Sequence, residues 1–281
     1  MTYFLRPDFQ ANLPVDDDPF AAIMSLRGEL IRAKEGRRTL CFVLKGKRYF
    51  LKAHYGVGWR EIFKNLLQLR WPVVSARNEW LAIQNLERLG VATTPLIGYG
   101  LQGFNPAGLK SFVITAALEN TVTLEVFCKP WEEEPPRTKA AIYYKRALLE
   151  KLAEIARVLH DNGMNHRDFY LCHFRLDLSQ GGPGVAMRKT LKIYLMDLHR
   201  VQIRRRIPTR WIIKDLGSLY FSAMDIGLTR RDLLRFMQVY RQRPLRAVLT
   251  AEPLFWRRVG ERAVRLYRNT WDRLPKSLPP S

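Results

Sequence analysis

A long amphipathic run ends abruptly beside a cluster of chemically capable side chains. Apolar residues recur at 148, 149, 152, 155, 156 and 159, which is the 3.6-residue period of a helix, within a stretch from about 139 to 162 that stops at Gly163. Immediately after it the chain reads NHRDFYLCHF, residues 165–174. An arginine, a carboxylate and two imidazoles therefore follow the end of a helix, with His173 five residues past Asp168. A structural element that delivers such a loop constrains what surrounds it.

Upstream, the pattern is different. RRTLCFVLKGKRYFLKAH (37–54) reads as a β-hairpin, two apolar, β-branched or aromatic strands around the turn KGK. DDDPFAAIMSLRGEL (16–30) reads as a helix start, with Asp18 as N-cap, Pro19 at the first helical position and apolar residues following. WREIFKNLLQLRW (59–71) and ARNEWLAIQNLERLG (76–90) have helical spacing, and VATTPLIGYG and SFVITAAL read as strands separated by a Gly/Pro/Asn loop. KPWEEEPPRTK (129–139) is a polar, Pro-rich loop. SQGGPG (179–184) is a turn, TLKIYLMD (190–197) a strand, and the remainder helical up to a frayed Pro-rich end. The expected class is α+β, with two lobes. Residues 1–118 form a small β-rich lobe with extra helices and 119–281 a larger helical lobe.

Composition narrows the partners. An apolar fraction of 47% in 281 residues supports a sizeable core. The cysteines, Cys41, Cys128 and Cys172, are far apart and form no Cys-x-x-Cys pair, which argues against a zinc site or disulfide framework and fits a reducing compartment. No signal peptide or membrane-spanning run is visible. The net charge is +21, with arginine concentrated after residue 200 in RRR (204–206), RQRPLR (241–246) and RR (257–258). Such a field attracts polyanions: nucleic acid, an anionic membrane face or a phosphorylated substrate. The chain has no helix-turn-helix, zinc or RNP-type motif, so nucleic acid is not expected.

Phosphoryl transfer needs a cation on nucleotide phosphates, a carboxylate on magnesium and a carboxylate at the acceptor hydroxyl. The protein-kinase signature supplies these in a fixed order, and the parts occur here in that order. Lys52 lies on the strand RYFLKAH, and Glu79 on the next well-formed helix is placed to pair with it. Asp168 follows the long helix, and Asp197 ends the strand KIYLMD, with Leu-His-Arg where kinases have Phe-Gly. His173 stands where kinases carry a magnesium-holding asparagine. It is expected either on the metal with Asp197 or on phosphate. His166 is expected to be a packed, hydrogen-bonded support of the loop. The Gly-x-Gly-x-x-Gly loop is missing. Only Gly36 and Gly46 occur in the first hairpin, and Arg37 or Arg38 either replaces that loop at the phosphates or is an ordinary surface arginine. The helix 59–71 is either an insert packed on the small lobe or a membrane-surface element.

These residues resemble those of a known family, the bacterial lipopolysaccharide core heptose kinases. NHRDFYLCHF with its Cys-His-Phe ending, MDLHRVQIR (196–204), RWIIKDLGSLYFSA (210–223), IGLTRRD (226–232) and KNLLQLRWPV (64–73) carry the resemblance, which runs from about residue 20 to about 250. It implies a protein-kinase-like fold and ATP- and magnesium-dependent phosphorylation of an inner-core heptose at the cytoplasmic face of the inner membrane. It also implies Asp168 as catalytic carboxylate, Lys52 on the nucleotide phosphates and Asp197 on magnesium. The acceptor would be lipid A–core lipopolysaccharide, and the expected partners include the anionic membrane, contacted peripherally. Phe169, Ile212 and Ile213 depart from the family's usual residues and bear on which heptose or hydroxyl is used. The competing expectation is a catalytically inactive kinase-like protein that binds lipopolysaccharide intermediates or a partner.

Overall fold

Two residues, Lys45 and Gly46, join strands β3 (Arg37–Leu44) and β4 (Lys47–Tyr55), and both have positive φ, +50° and +75°. That backbone matches the right-handed twist of the flanking strands, so the hairpin expected from sequence closes tightly. The computed structural model describes residues 1–13, 18–34, 36–67, 74–179 and 191–275. Most of the Gly-rich turn 179–184, the first residue of the expected strand 190–197, residues 68–71 of the expected helix and the Pro-rich end lie outside the described residues.

The chain divides into two compact units. The first comprises Met1–Glu87, Thr94–Glu119 and Leu198–Arg200; the second comprises Arg88–Thr93, Asn120–Asp197 and Val201–Ser281.

In the first unit a six-stranded antiparallel sheet runs in the order β1-β5-β6-β4-β3-β2. Its other strands are β1 (Thr2–Leu5), β2 (Glu29–Lys34), β5 (Leu96–Gln102) and β6 (Lys110–Ala116). β1 and β2 were not expected from sequence. Both are edge strands, and Leu30 and Ile31 of β2 are exposed, so no buried alternation marks it. The sequence around Asp18 is helical only over α2 (Pro19–Ser25), where the Asp18 carboxylate accepts the N–H groups of Phe20 and Ala21. α1 (Pro7–Gln10) precedes it. Phe9, Phe20, Ile23, Leu40, Phe42, Tyr49, Leu51, Ala53 and Phe112 form one core cluster. Side chains alternate along β4, so burying Tyr49, Leu51 and Ala53 on one face turns Lys52 to the other. α3 (Gly58–Leu67) and α4 (Arg77–Arg88) follow.

The second unit is mainly helical. α5 (Leu124–Cys128) runs into a 3₁₀ turn, Lys129–Glu132, where a polar loop was expected. α6 (Lys139–Asp161) is the long helix, capped by the Thr138 hydroxyl on Ala141 N–H. α7 (Thr209–Ser222), α8 (Arg230–Arg241), α9 (Leu245–Ala251) and α10 (Pro253–Trp271) complete the helices. β7 (Thr121–Thr123), β9 (Phe174–Asp177) and β10 (Ile193–Leu195) make a small antiparallel sheet, and β8 (Met164–Asn165) pairs with β11 (Gln202–Ile203). The buried Lys145 ammonium lies 2.6 Å from Asp232 and donates to the Gly227 carbonyl at 3.1 Å. Among the described residues no helix is long and apolar enough to cross a membrane.

Candidate active site

The loop after α6 starts from a close backbone approach. Gly163 has φ +75°, its carbonyl accepts Arg204 N–H, and a Cβ there would come within 1.8 Å of the Arg204 carbonyl. Only glycine fits. From this anchor the chain passes through β8 to His166, Arg167 and Asp168. The fully buried Asp215 carboxylate on α7 accepts the main-chain N–H of His166 at 2.7 Å and of Arg167 at 2.8 Å. Arg167 has φ +74°, a conformation disfavoured for an L side chain, and the Asp215 bonds hold it there. His160 Nε2 reaches the same carboxylate at 3.4 Å, and its Nδ1 lies 2.8 Å from the Tyr240 hydroxyl.

His166 is buried, and its Nε2 donates to the Met196 carbonyl at 2.9 Å, which is the packing role expected of it. Burial holds its pKa below the ordinary histidine value, offset in part by the nearby Asp215. Met196 N–H in turn donates to the His173 carbonyl. Leu195 N–H donates to Ala92 O, and Thr93 Oγ1 donates to Leu195 O at 2.7 Å. These bonds fix the chain entering Asp197. Asp197 lies two residues past β10 rather than at its end, with φ +58°.

His173 links the two carboxylate residues. Its Nδ1 donates to the Asp168 main-chain carbonyl at 2.6 Å, and its Nε2 lies 3.6 Å from Asp197 Oδ2. Its pKa is raised to about 9: a hydrogen bond with Cys172, the Asp168 carbonyl and the Asp197 charge outweigh partial burial.

Among the described residues no group of three or more His, Cys, Asp and Glu is placed to hold a metal. Asp197 offers a carboxylate that would hold magnesium, which takes oxygen donors, keeps waters and is shared with substrate phosphates rather than caged by protein; His173, with its raised pKa, is placed to hold that carboxylate or a phosphate rather than to ligate the metal.

In the first unit Lys52 Nζ lies 2.6 Å from Glu79 Oε1, joining β4 to α4, with Glu79 buried. Arg38, for which sequence left a phosphate contact and an ordinary surface position both open, is engaged within the first unit. Its guanidinium donates to the Met24 and Leu26 carbonyls at the end of α2 and sits 4.9 Å from the Tyr55 ring centre. It caps carbonyls left open at a helix end, so its position fits a structural role rather than a nucleotide contact.

Sequence reasoning missed Asp215 and His160 as supports of the loop. The available signal was an aspartate within the largely apolar run WIIKDLGSL, since such a residue is buried only when its carboxylate has partners.

A β4 lysine paired with a helix glutamate, a His-Arg-Asp loop braced by a buried aspartate and a following aspartate together define a phosphotransferase of the protein-kinase-like α+β class. The chain belongs to the Lipopolysaccharide kinase (Kdo/WaaP) family, whose pattern its residues 21–240 match. It is 46% identical over 250 residues to a Pseudomonas aeruginosa protein named lipopolysaccharide core heptose(I) kinase WaaP, covering 89% of this chain and 90% of that one. The protein of that name from Escherichia coli K12 is 46% identical over 253 residues, 90% of this chain and 92% of that one. A solved structure described as WaaP in complex with acyl carrier protein superposes with TM-score 0.80 and 40% identity, covering 95% of this chain and all of the other.

Proposed function

We propose that the chain is an ATP- and magnesium-dependent kinase that phosphorylates a heptose hydroxyl of the lipopolysaccharide inner core. The observation that carries this reading is 46% identity, across nine-tenths of the chain, to relatives named for that activity. The braced loop around Asp168 supports it. Asp168 orients the acceptor hydroxyl and receives its proton. Lys52, oriented by Glu79, holds the nucleotide phosphates. Asp197 holds magnesium, and His173 Nε2 fixes that carboxylate or meets phosphate. Magnesium, when bound, neutralises charge on the transferring phosphoryl group.

The experiment is phosphate transfer from ATP to core oligosaccharide by Asp168→Ala. A positioned base is worth about 10²–10⁴ in rate. Loss on that scale with ATP binding retained is expected, and near-parent turnover would remove Asp168 from the role.

The enzyme meets its lipid-anchored acceptor at the inner face of the inner membrane, through α3. Viewed down that helix the apolar side chains form one arc, and exposure rises across it: Ile62 6%, Leu66 44%, Trp59 51%, Phe63 57%, Leu67 86%. Arg60 and Lys64 follow at the exposed edge. Trp and Phe beside bases suit the headgroup boundary of an anionic bilayer. Phe104, fully exposed, sits in the β5–β6 loop, whose Ala107 carbonyl accepts the Gly58 N–H at the start of α3.

An acyl carrier protein is a second candidate partner, by similarity to the solved relative. The second unit contains an apolar cavity lined by Leu148, Leu152, Leu219, Phe236, Met237 and Val259, which favours a partner that carries an apolar chain.

A further inference from the structure

His160 is a buried imidazole for which the transfer step itself has no use. It stands in the last turn of α6, with its side chain 2% exposed. Three other elements meet on it. Its Nε2 lies 3.4 Å from Oδ2 of Asp215 on α7, and its Nδ1 lies 2.8 Å from the hydroxyl of Tyr240 on α8. Its ring centre is 6.3 Å from that of Phe169, the fully buried residue after Asp168. Tyr240 is itself packed on several sides. Phe236 stacks on it at 6.1 Å, Trp256 meets it edge-on at 5.8 Å, and the Arg241 guanidinium, 2.7 Å from Glu252, lies 4.9 Å from its ring centre.

Donor and acceptor roles follow from the partners. A carboxylate only accepts, so the hydrogen in the contact to Asp215 comes from His160 Nε2. A neutral imidazole with its hydrogen there keeps a lone pair on Nδ1, and the Tyr240 O–H is the donor placed to fill it. Burial raises the pKa of that phenol, so it keeps its hydrogen. At 3.4 Å the contact to Asp215 is long and adds little stability. Its consequence lies in aim. Oδ2 is also the oxygen that accepts His166 N–H at 2.7 Å, while Oδ1 accepts Arg167 N–H at 2.8 Å, so the set of this carboxylate fixes the main chain entering Asp168.

We propose that His160 and Tyr240 are positioning residues for phosphoryl transfer: the Tyr240 hydroxyl holds His160 as the Nε2–H tautomer, and that N–H aims the Asp215 carboxylate at the main chain of His166 and Arg167. The positioning role rests on the kinase reading above, in which Asp168 receives the acceptor proton; the tautomer does not.

The test joins steady-state kinetics to NMR of isotope-labelled imidazole nitrogens. In the parent, His160 shows a protonated Nε2 and a bare Nδ1. Tyr240→Phe, a near-isosteric change, loses that signature and lowers kcat with core oligosaccharide by about 3–10-fold, the worth of one neutral hydrogen bond, while the ATP and acceptor KM values stay within about two-fold. His160→Gln keeps a donor and an acceptor and stays within about two-fold of the parent kcat; His160→Leu has neither and does not. In an Asp215→Asn background Tyr240→Phe costs nothing further, because its effect passes through Asp215. An unchanged kcat in Tyr240→Phe overturns the proposal, whatever happens to the melting temperature. So does a kcat loss of the same size in the Asp215→Asn background, or a parent His160 whose Nδ1 carries a hydrogen. A parent that shows the Nε2–H signature and loses basal ATP hydrolysis on Tyr240→Phe, yet does not phosphorylate core oligosaccharide, would uphold the positioning role and sink the heptose reading instead.

Discussion

Asp215 accepts the main-chain N–H of Arg167 at 2.8 Å across forty-eight residues of sequence. The bond holds a left-handed residue next to Asp168, and the same carboxylate holds His166. Hydrogen bonds to a charged partner are worth about 1.5–3 kcal/mol each. Asp215→Ala leaves two N–H groups unpaired and is expected to cost roughly 3–5 kcal/mol of stability, with turnover collapsing. Asp215→Asn keeps one acceptor oxygen and falls between the two. Urea denaturation and phosphate transfer read both effects, and a parent-like Asp215→Ala would show that the loop holds itself.

Lys52 and Glu79 make a pair whose lysine side chain is 32% exposed. Solvent screening limits such a pair to about 1 kcal/mol of stability. Lys52→Met is therefore expected to melt near the parent temperature while ATP affinity falls by about 10–100-fold. Equal ATP affinity in titration calorimetry would take Lys52 out of the nucleotide site.

His54 has its pKa lowered to about 4, by burial first and then by Arg37, Lys52 and His199, and its Nδ1 is buried without a partner. The folded state binds fewer protons than the unfolded one between pH 4 and 6.5, so stability rises with pH across that window. The contribution is complete above about pH 6.5 and is lost as pH falls toward 4, a total of roughly 3 kcal/mol. His54→Gln should flatten that acid slope. A denaturation series with the same slope in both proteins would locate acid lability elsewhere.

The exposed arc of α3 predicts binding to anionic vesicles. Sedimentation with phosphatidylglycerol-containing vesicles should capture the parent, less so in high salt. Trp59→Ser/Phe63→Ser/Leu67→Ser should stay in the supernatant yet melt normally, because these side chains are exposed. A parent that stays in solution, or a dimer that dissociates on this substitution, would assign the face to something other than lipid.

Much of the frame was legible in the sequence because it is written locally. The β3–β4 hairpin, the Asp18 cap, the long helix and its stop at Gly163 depend on residues within a few positions of one another. The Lys52–Glu79 pair was also legible, because a strand lysine and the following helix offered complementary charges in a known order. β1 and β2 were not. They are edge strands: β1 is completed by β5, far along the chain, and β2, although it pairs with the next strand β3, keeps Leu30 and Ile31 exposed and so shows no buried alternation. Arg38 was open on sequence and was decided by carbonyls at the end of α2.

By itself the sequence determined which chemical parts exist, in what order, and on which kind of element, since turn chemistry, helix period and charge are properties of short stretches. Only the tertiary structure decided which groups meet: Asp215 beneath the His166–Arg167 backbone, four cations around the Trp211 indole, and an apolar helix face left in water. Those outcomes depend on burial and on contacts across dozens of residues, where a side chain's partner is chosen by packing rather than by its neighbours in the chain.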